Sequence, residues 1–222
     1  MTSTTNTSRS VFGRPGPAIG LGLLALSFAV PALFYAHMPE DVPSHWNAYG
    51  EMDGTIAKPI GPFVGALACA FVYALYLALP RLSPRGFDLD RFRAAYDAIM
   101  VSLVAAMAVV SVAVSLAAAG VALPMAPVIG VTIGVVFAVM GNYMGKVQRN
   151  FFVGIRTPWT LANEEVWLRT HRVAGKLFVA SGVVLAVSSF FGPGLVVGVA
   201  FALVASFVPV VYSYVLHRKL ET

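Results

Sequence analysis

The sequence predicts an all-α fold: a polytopic transmembrane helical bundle of about six spans with both termini cytoplasmic. Three observations carry this. Apolar residues are 58% of the 222 and charged residues only 11%, against about 25% charged in ordinary soluble domains; mean hydropathy is +0.79. The apolar residues gather in runs long enough for a hydrocarbon core about 30 Å thick. Basic residues fall almost entirely on alternate connections between those runs. A bilayer interior offers no water to backbone N–H and C=O groups, so such runs must be helices. The sequence lacks the alternating ~10-residue segments of a membrane β-barrel.

The predicted spans are 17–36, 60–79, 98–120, 124–140, 173–191 and 195–216. In the first, Ser27-Phe28-Ala29 resembles a signal-cleavage site. The apolar stretch runs past it, too long for a signal peptide's core, and is read as a retained helix kinked near Pro31. The third span is expected to begin outside the hydrocarbon near Asp88. There Leu89, Phe92 and Tyr96 share a helical face, and Arg93 can pair with Asp97 at i,i+4. Small residues four apart, Gly130/Gly134, Ser111/Ser115 and Gly194/Gly198, permit close helix approach. The lone cysteine, Cys69, lies in the second run and reads as a small buried hydrophobe.

Fourteen of the fifteen basic residues occupy the N-terminal tail, the second and fourth connections and the C-terminal tail. The other side holds only Lys58, beside Glu40, Asp41, Glu51 and Asp53. The positive-inside rule then places both termini in the cytoplasm. Topology therefore accounts for the net charge of +5, and no direct nucleic-acid partner is predicted. The chain divides into a cytoplasmic tail (1–16), a first set of three helices (17–120) and a second set (121–222).

Two connections are long enough to expect function. The outer one, 37–59, groups His45, Trp46 and Asn47, with Asp53-Gly54 as a turn signal. Trp46 suits an interfacial anchor. His45 with Asp53, Glu40 or Asp41 offers metal-ligand types, but no spacing motif supports a site, and no metal is predicted. The inner one, 142–176, splits in two. Residues 150–159 are turn-like, because Pro158 disfavours helix at Thr157. A helix follows from Thr160 or Asn163, both good N-caps, with Glu164 and Glu165 in its first turn and a Glu165–Arg169 pair. Glu164, Trp167, His171 and Gly175 share one face, a candidate polar binding pocket, a proton-responsive pair or an anchor with a hydrogen-bonded His. Arg156 is expected near Glu164 or a cluster of backbone carbonyls.

Read together, these segments resemble the SdpI family of bacterial membrane proteins. The inner one carries the likeness: Asn150, then Gly154-Ile155-Arg156-Thr157-Pro158-Trp159-Thr160, Glu164-Glu165-Val166-Trp167, Thr170-His171-Arg172 and Gly175. The outer run from Val42 through His45-Trp46-Asn47 and Gly50 to Asp53-Gly54 and Lys58 looks like the small domain of unknown function that often precedes the motif. The resemblance implies an immunity protein and signal receptor. Its partners would be membrane lipid, a secreted peptide toxin outside and a cytoplasmic repressor inside. It supplies no catalytic residue and no cofactor.

The candidate binding residues are His45, Trp46, Asn47 and Asp53 outside, and Asn150, Gly154, Arg156, Thr157, Trp159, Glu164, Trp167 and His171 inside. A transporter is the alternative, disfavoured because the spans hold essentially no ionisable groups away from their ends. A membrane enzyme with an interfacial site is the other. No nucleophile elbow, phosphate loop, zinc helix motif or dinucleotide fingerprint is present, so the chain is not expected to be an enzyme.

Overall fold

The computed structural model describes residues 15–47 and 49–221. The tail expected over 1–16, with Arg9 and Arg14, lies outside the described residues except for its last two positions, which already belong to the first helix. In chain order the elements are α1 (Pro15–Phe34), β1 (Asp41–Trp46), β2 (Met52–Ala57), α2 (Val64–Leu82), α3 (Arg93–Ala118), α4 (Met125–Met144), α5 (Pro158–Ala162), α6 (Glu164–Ser188) and α7 (Gly194–Glu221). Six of these helices, all but α5, are long and apolar enough to cross a membrane. The chain is a multi-pass membrane protein.

The spans pack as two groups. In the first, α1 and α2 both lie against α3; in the second, α6 lies between α4 and α7; α3 meets α4 and joins the groups. Two prolines in the first group explain part of the role of α3. Proline has no N–H, so a proline inside a helix leaves the carbonyl four residues earlier without its usual donor, which is costly away from water. Pro31 frees the carbonyl of Ser27, and Ser111 Oγ donates to it at 3.0 Å. Pro80 frees the carbonyl of Tyr76, and Tyr96 Oη donates to it at 2.7 Å. Both hydroxyls come from α3 and both are buried. Helix α1 continues through Pro31 to Phe34.

At one end of this group Asp97 accepts hydrogen bonds from Tyr76 Oη and from Arg93 Nε, each at 2.8 Å. The expected Arg93–Asp97 pair is therefore present, and Arg93 also reaches Asp90 at 3.1 Å. The expected face of Leu89, Phe92 and Tyr96 is buried. Cys69 is fully buried, its thiol directed at the carbonyl of Val104 at 3.6 Å.

Helices α4 and α6 approach each other very closely, and glycine makes it possible. A Cβ on Gly134 would come within 2.5 Å of the Gly182 carbonyl oxygen, and one on Gly141 within 2.6 Å of the Gly175 carbonyl oxygen. Gly130 and Gly134 belong to the expected small-residue pattern. Gly141, Gly175 and Gly182 extend it down the whole interface.

Two expectations need correction. The fold is mostly helical rather than all-α, because the outer segment contains an antiparallel hairpin of β1 and β2. Asn47 and Glu51 pair through the backbone where the strands are joined, whereas Asp53-Gly54 lies inside β2. Gly54 stands opposite His45 at an irregularity in the ladder, where a Cβ would approach that of His45 to 2.9 Å. This glycine marks close strand approach and not a turn. Secondly, the fifth span does not begin at residue 173. The interfacial helix and the membrane helix are one continuous α6 from Glu164.

Candidate functional site

The outer segment is a small platform clamped at its base. Val42 of β1 is fully buried, in a cluster with Met38 and Ala118. Lys58 Nζ donates to the Met38 carbonyl at 2.8 Å, lies 3.6 Å from Glu40 Oε1 and sits over the Tyr35 ring. The one basic residue on this side is thus absorbed in joining the hairpin to the end of α1. At the turn, Asn47 Oδ1 accepts from the N–H groups of Tyr49 and Glu51 at 2.9 and 3.1 Å, and its Nδ2 donates to Glu51. Asparagine suits this turn because its side chain imitates a backbone acceptor.

His45 and Asp53 face each other across the strands, Nδ1 to Oδ1 at 2.5 Å, with side chains 70% and 43% exposed. Trp46, opposite Met52, is half-buried. The hairpin therefore brings His45 and Asp53 together on an accessible surface, with Trp46 next along the strand and Asn47 shaping the turn. Among the described residues no group of three or more His, Cys, Asp or Glu side chains gathers as a metal site.

The inner segment is organised around two buried polar residues. Asn150 is fully buried, and its amide is completely used. Nδ2 donates to the carbonyls of Gln148 and Val153 at 2.8 and 3.0 Å, while Oδ1 accepts from the N–H groups of Phe152 and Val153 at 2.8 and 2.7 Å. One side chain thus replaces the secondary structure this stretch lacks. His171, on α6, is 1% exposed. Its Nδ1 lies 2.7 Å from the Trp167 carbonyl and must donate to it; Nε2 then accepts the Ile155 N–H at 3.0 Å. These partners require the neutral ring protonated at Nδ1.

Gly154 crosses directly over that imidazole. Its φ is +109°, and a Cβ there would collide with His171 Nε2. Glycine is required twice, for the backbone angle and for the space. The Trp167 ring stacks on His171 with centroids 3.9 Å apart, and its Nε1 donates to the Val147 carbonyl at 2.8 Å. The expected stripe is therefore split. Trp167, His171 and Gly175 are interior, while Glu164 remains exposed at the start of α6.

The short α5 completes the joint. Thr157 is extended, as a residue before proline should be, and it forms a capping box with Thr160. Trp159 Nε1 donates to Ser213 Oγ of α7 at 2.5 Å, and its ring packs on Tyr214 and His217. Arg149 Nη1 donates to the Leu161 carbonyl at 3.1 Å, closing the other end of α5. Asn163 then caps α6 through the N–H groups of Glu165 and Val166. The expected Glu165–Arg169 pair is present at 2.5 Å, half-exposed on both sides. Arg156 donates to the Phe151 carbonyl, the backbone partner that was one of its two expected settings. Sequence reasoning missed Ser213 and Arg149. Arg149 carried a faint signal, its place immediately before Asn150; Ser213 is 54 residues from its partner and carried none.

The model of the SdpI/YfhL protein family matches residues 146–213. That stretch begins just before the acceptor of Trp167 and ends on the partner of Trp159. A domain of unknown function, DUF1648, matches residues 22–69, which contain the hairpin. These matches bear out the resemblance of both polar segments to the SdpI family. It is 26% identical over 205 residues to the "Immunity protein SdpI" of Bacillus subtilis (strain 168), covering 91% of this chain and 96% of that protein. No solved structure matches. In the stretch that matches the family, Asn150, Gly154, Thr157, Trp159, Trp167 and His171 form a joint whose contacts are mostly internal. Arg156, Glu164, Glu165 and Arg172 are members of the motif with exposed charge, Glu165 being paired with Arg169.

Proposed function

We propose that the chain is a membrane immunity and signal-receptor protein of the SdpI type. Its outer hairpin takes an extracellular peptide or similar ligand through His45, Trp46 and Asp53. Its inner, basic face addresses a cytoplasmic regulator through Arg156, Glu164 and the neighbouring arginines. Both termini are cytoplasmic in this reading. The observation that carries it is the extent of the likeness: the immunity protein is matched over 96% of its length, so both polar segments are covered and not the inner motif alone. The reading needs no catalytic group and no cofactor.

A ligand outside can alter a partner inside only by binding two states of the bundle differently. The hairpin is fixed to α1 and α3, and the inner joint to α6 and α7. The coupling route is then the α3–α4 contact between the two groups of spans.

The test is protection of cells against a secreted membrane-active peptide, measured beside protein abundance. Wild-type protein should protect, and the pair His45→Ala with Asp53→Ala should abolish protection at unchanged abundance. A thiol introduced at Ser44 should react with an impermeant reagent in intact cells, and one at Ala162 should not. Should the wild type protect against no peptide yet move or convert a small molecule in liposomes, the transporter or enzyme reading replaces this one.

A further inference from the structure

Beside the joint, α4 and α6 leave an open groove of about 670 Å³. Its floor is glycine, Gly141, Gly145 and Gly175, and its rim carries Asn142, Arg172 and Lys176. Arg172 and Lys176 are exposed, and among the described residues neither has an acidic partner. They are four apart on α6 and so stand one above the other. Continuing along the same face, Val179, Val183 and Val187 are 37%, 55% and 56% exposed. The stripe thus begins with two unpaired cations and continues as uncovered apolar surface.

We propose that this groove is a binding site for one anionic phospholipid. The headgroup phosphate sits between Arg172 and Lys176 with the Asn142 amide as a further donor, and an acyl chain lies along the valine stripe. Basic pockets between membrane helices hold acidic headgroups in this way. The apolar continuation selects a lipid over a free anion, because a soluble phosphate has nothing to place against Val179, Val183 and Val187. Close packing at Gly141 and Gly175 provides depth: a side chain at either position would enter the helix contact and the groove floor. A lipid seated here would touch α4 and α6 at once, directly against the helix that carries His171.

The experiment uses the full-length protein in detergent, mixed with equal amounts of phosphatidylglycerol and phosphatidylcholine, with retained lipid read by native mass spectrometry. Wild type should retain phosphatidylglycerol preferentially, with one molecule dominant. Each near-surface cation is worth roughly fivefold, so Arg172→Gln with Lys176→Gln should reduce that preference roughly twenty-five-fold. Arg85→Gln with Arg91→Gln, which removes two exposed cations outside the groove, should leave it intact. Ala180→Trp should lower retention with both cations present, because it fills the apolar end. The proposal fails if the Arg85 and Arg91 pair matters as much as the groove pair, which would mean diffuse surface attraction. It fails equally if inorganic phosphate displaces the lipid, or if phosphatidylcholine is retained as well.

Discussion

In the outer segment His45 meets Asp53 with most of its side chain in solvent; in the inner segment His171 has both ring nitrogens engaged and 1% of its surface exposed. The asparagines differ less in chemistry than in setting. Asn47 shapes a turn on the outside of the molecule, whereas Asn150 makes the same kind of side chain-to-backbone bonds while fully buried. Trp46 is half-open, and Trp167 is closed over His171. The contrast bears on how a dense polar motif should be understood. The inner motif is the stronger sequence signal, yet most of its polar atoms are spent on its own backbone. The outer one is the weaker signal, yet it leaves its chemistry accessible.

The strongest test of this contrast is Gly154→Ala. A side chain at φ +109° is strained, and this one would also strike the imidazole. A loss of about 3–5 kcal/mol is expected in reversible unfolding from detergent micelles. Combining it with His171→Ala relieves the collision but not the backbone strain, so the double variant should recover only part of the loss. A near-neutral Gly154→Ala would mean that the joint is loose and the contrast unfounded.

Asn150→Ala comes next. It leaves two N–H groups and two carbonyls without their partner in a partly buried loop, for an expected cost of about 2–4 kcal/mol. Amide exchange should rise first at Phe152 and Val153. Retained protection at those two amides would show that something else holds the loop. Smaller again is Tyr96→Phe, which leaves the proline-freed Tyr76 carbonyl without its donor at about 1–2 kcal/mol. Tyr96→Phe in a Pro80→Ala background should cost less, because the introduced alanine restores a backbone N–H. Equal costs in both backgrounds would remove the proline explanation.

The spans were legible because hydropathy and charge placement act over many residues, and a misplaced end changes little. The length of α6 was harder to see. Asn163 announces a cap and Val173 begins an apolar run, and only the shared face of Glu164, Trp167, His171 and Gly175 hints that one helix crosses between them. The hairpin was hidden for a local reason. Pro43 and Gly54 both argue against strand, yet β1 is held by burial of Val42 and by its neighbour rather than by propensity. In the inner segment the sequence singled out residues that the fold brings into one joint, without distinguishing frame from contact. Thr157, Asn163 and the Glu165–Arg169 pair follow from nearby neighbours and could be read. The partners of Trp159 and Trp167 lie 54 and 20 residues away, so their roles depended on the tertiary fold.

The smallest expected effect on stability is at the outer pair, and it sharpens the comparison most. An exposed ion pair is worth roughly 0–1 kcal/mol, and the His45–Asp53 pair is largely open to solvent. Single changes, His45→Ala or Asp53→Asn, should therefore leave the unfolding midpoint nearly where it was. The inner substitutions should instead lower stability and protection together, since they loosen the frame. If the outer surface meets the ligand, its variants should lose protection while stability and abundance hold. Plotting protection against stability for both sets separates the cases: inner variants should fall on a common line and outer variants well below it. Outer variants lying on that line would make the hairpin another piece of framework, and the search for a ligand surface would have to move to the exposed charges of Arg156 and Glu164.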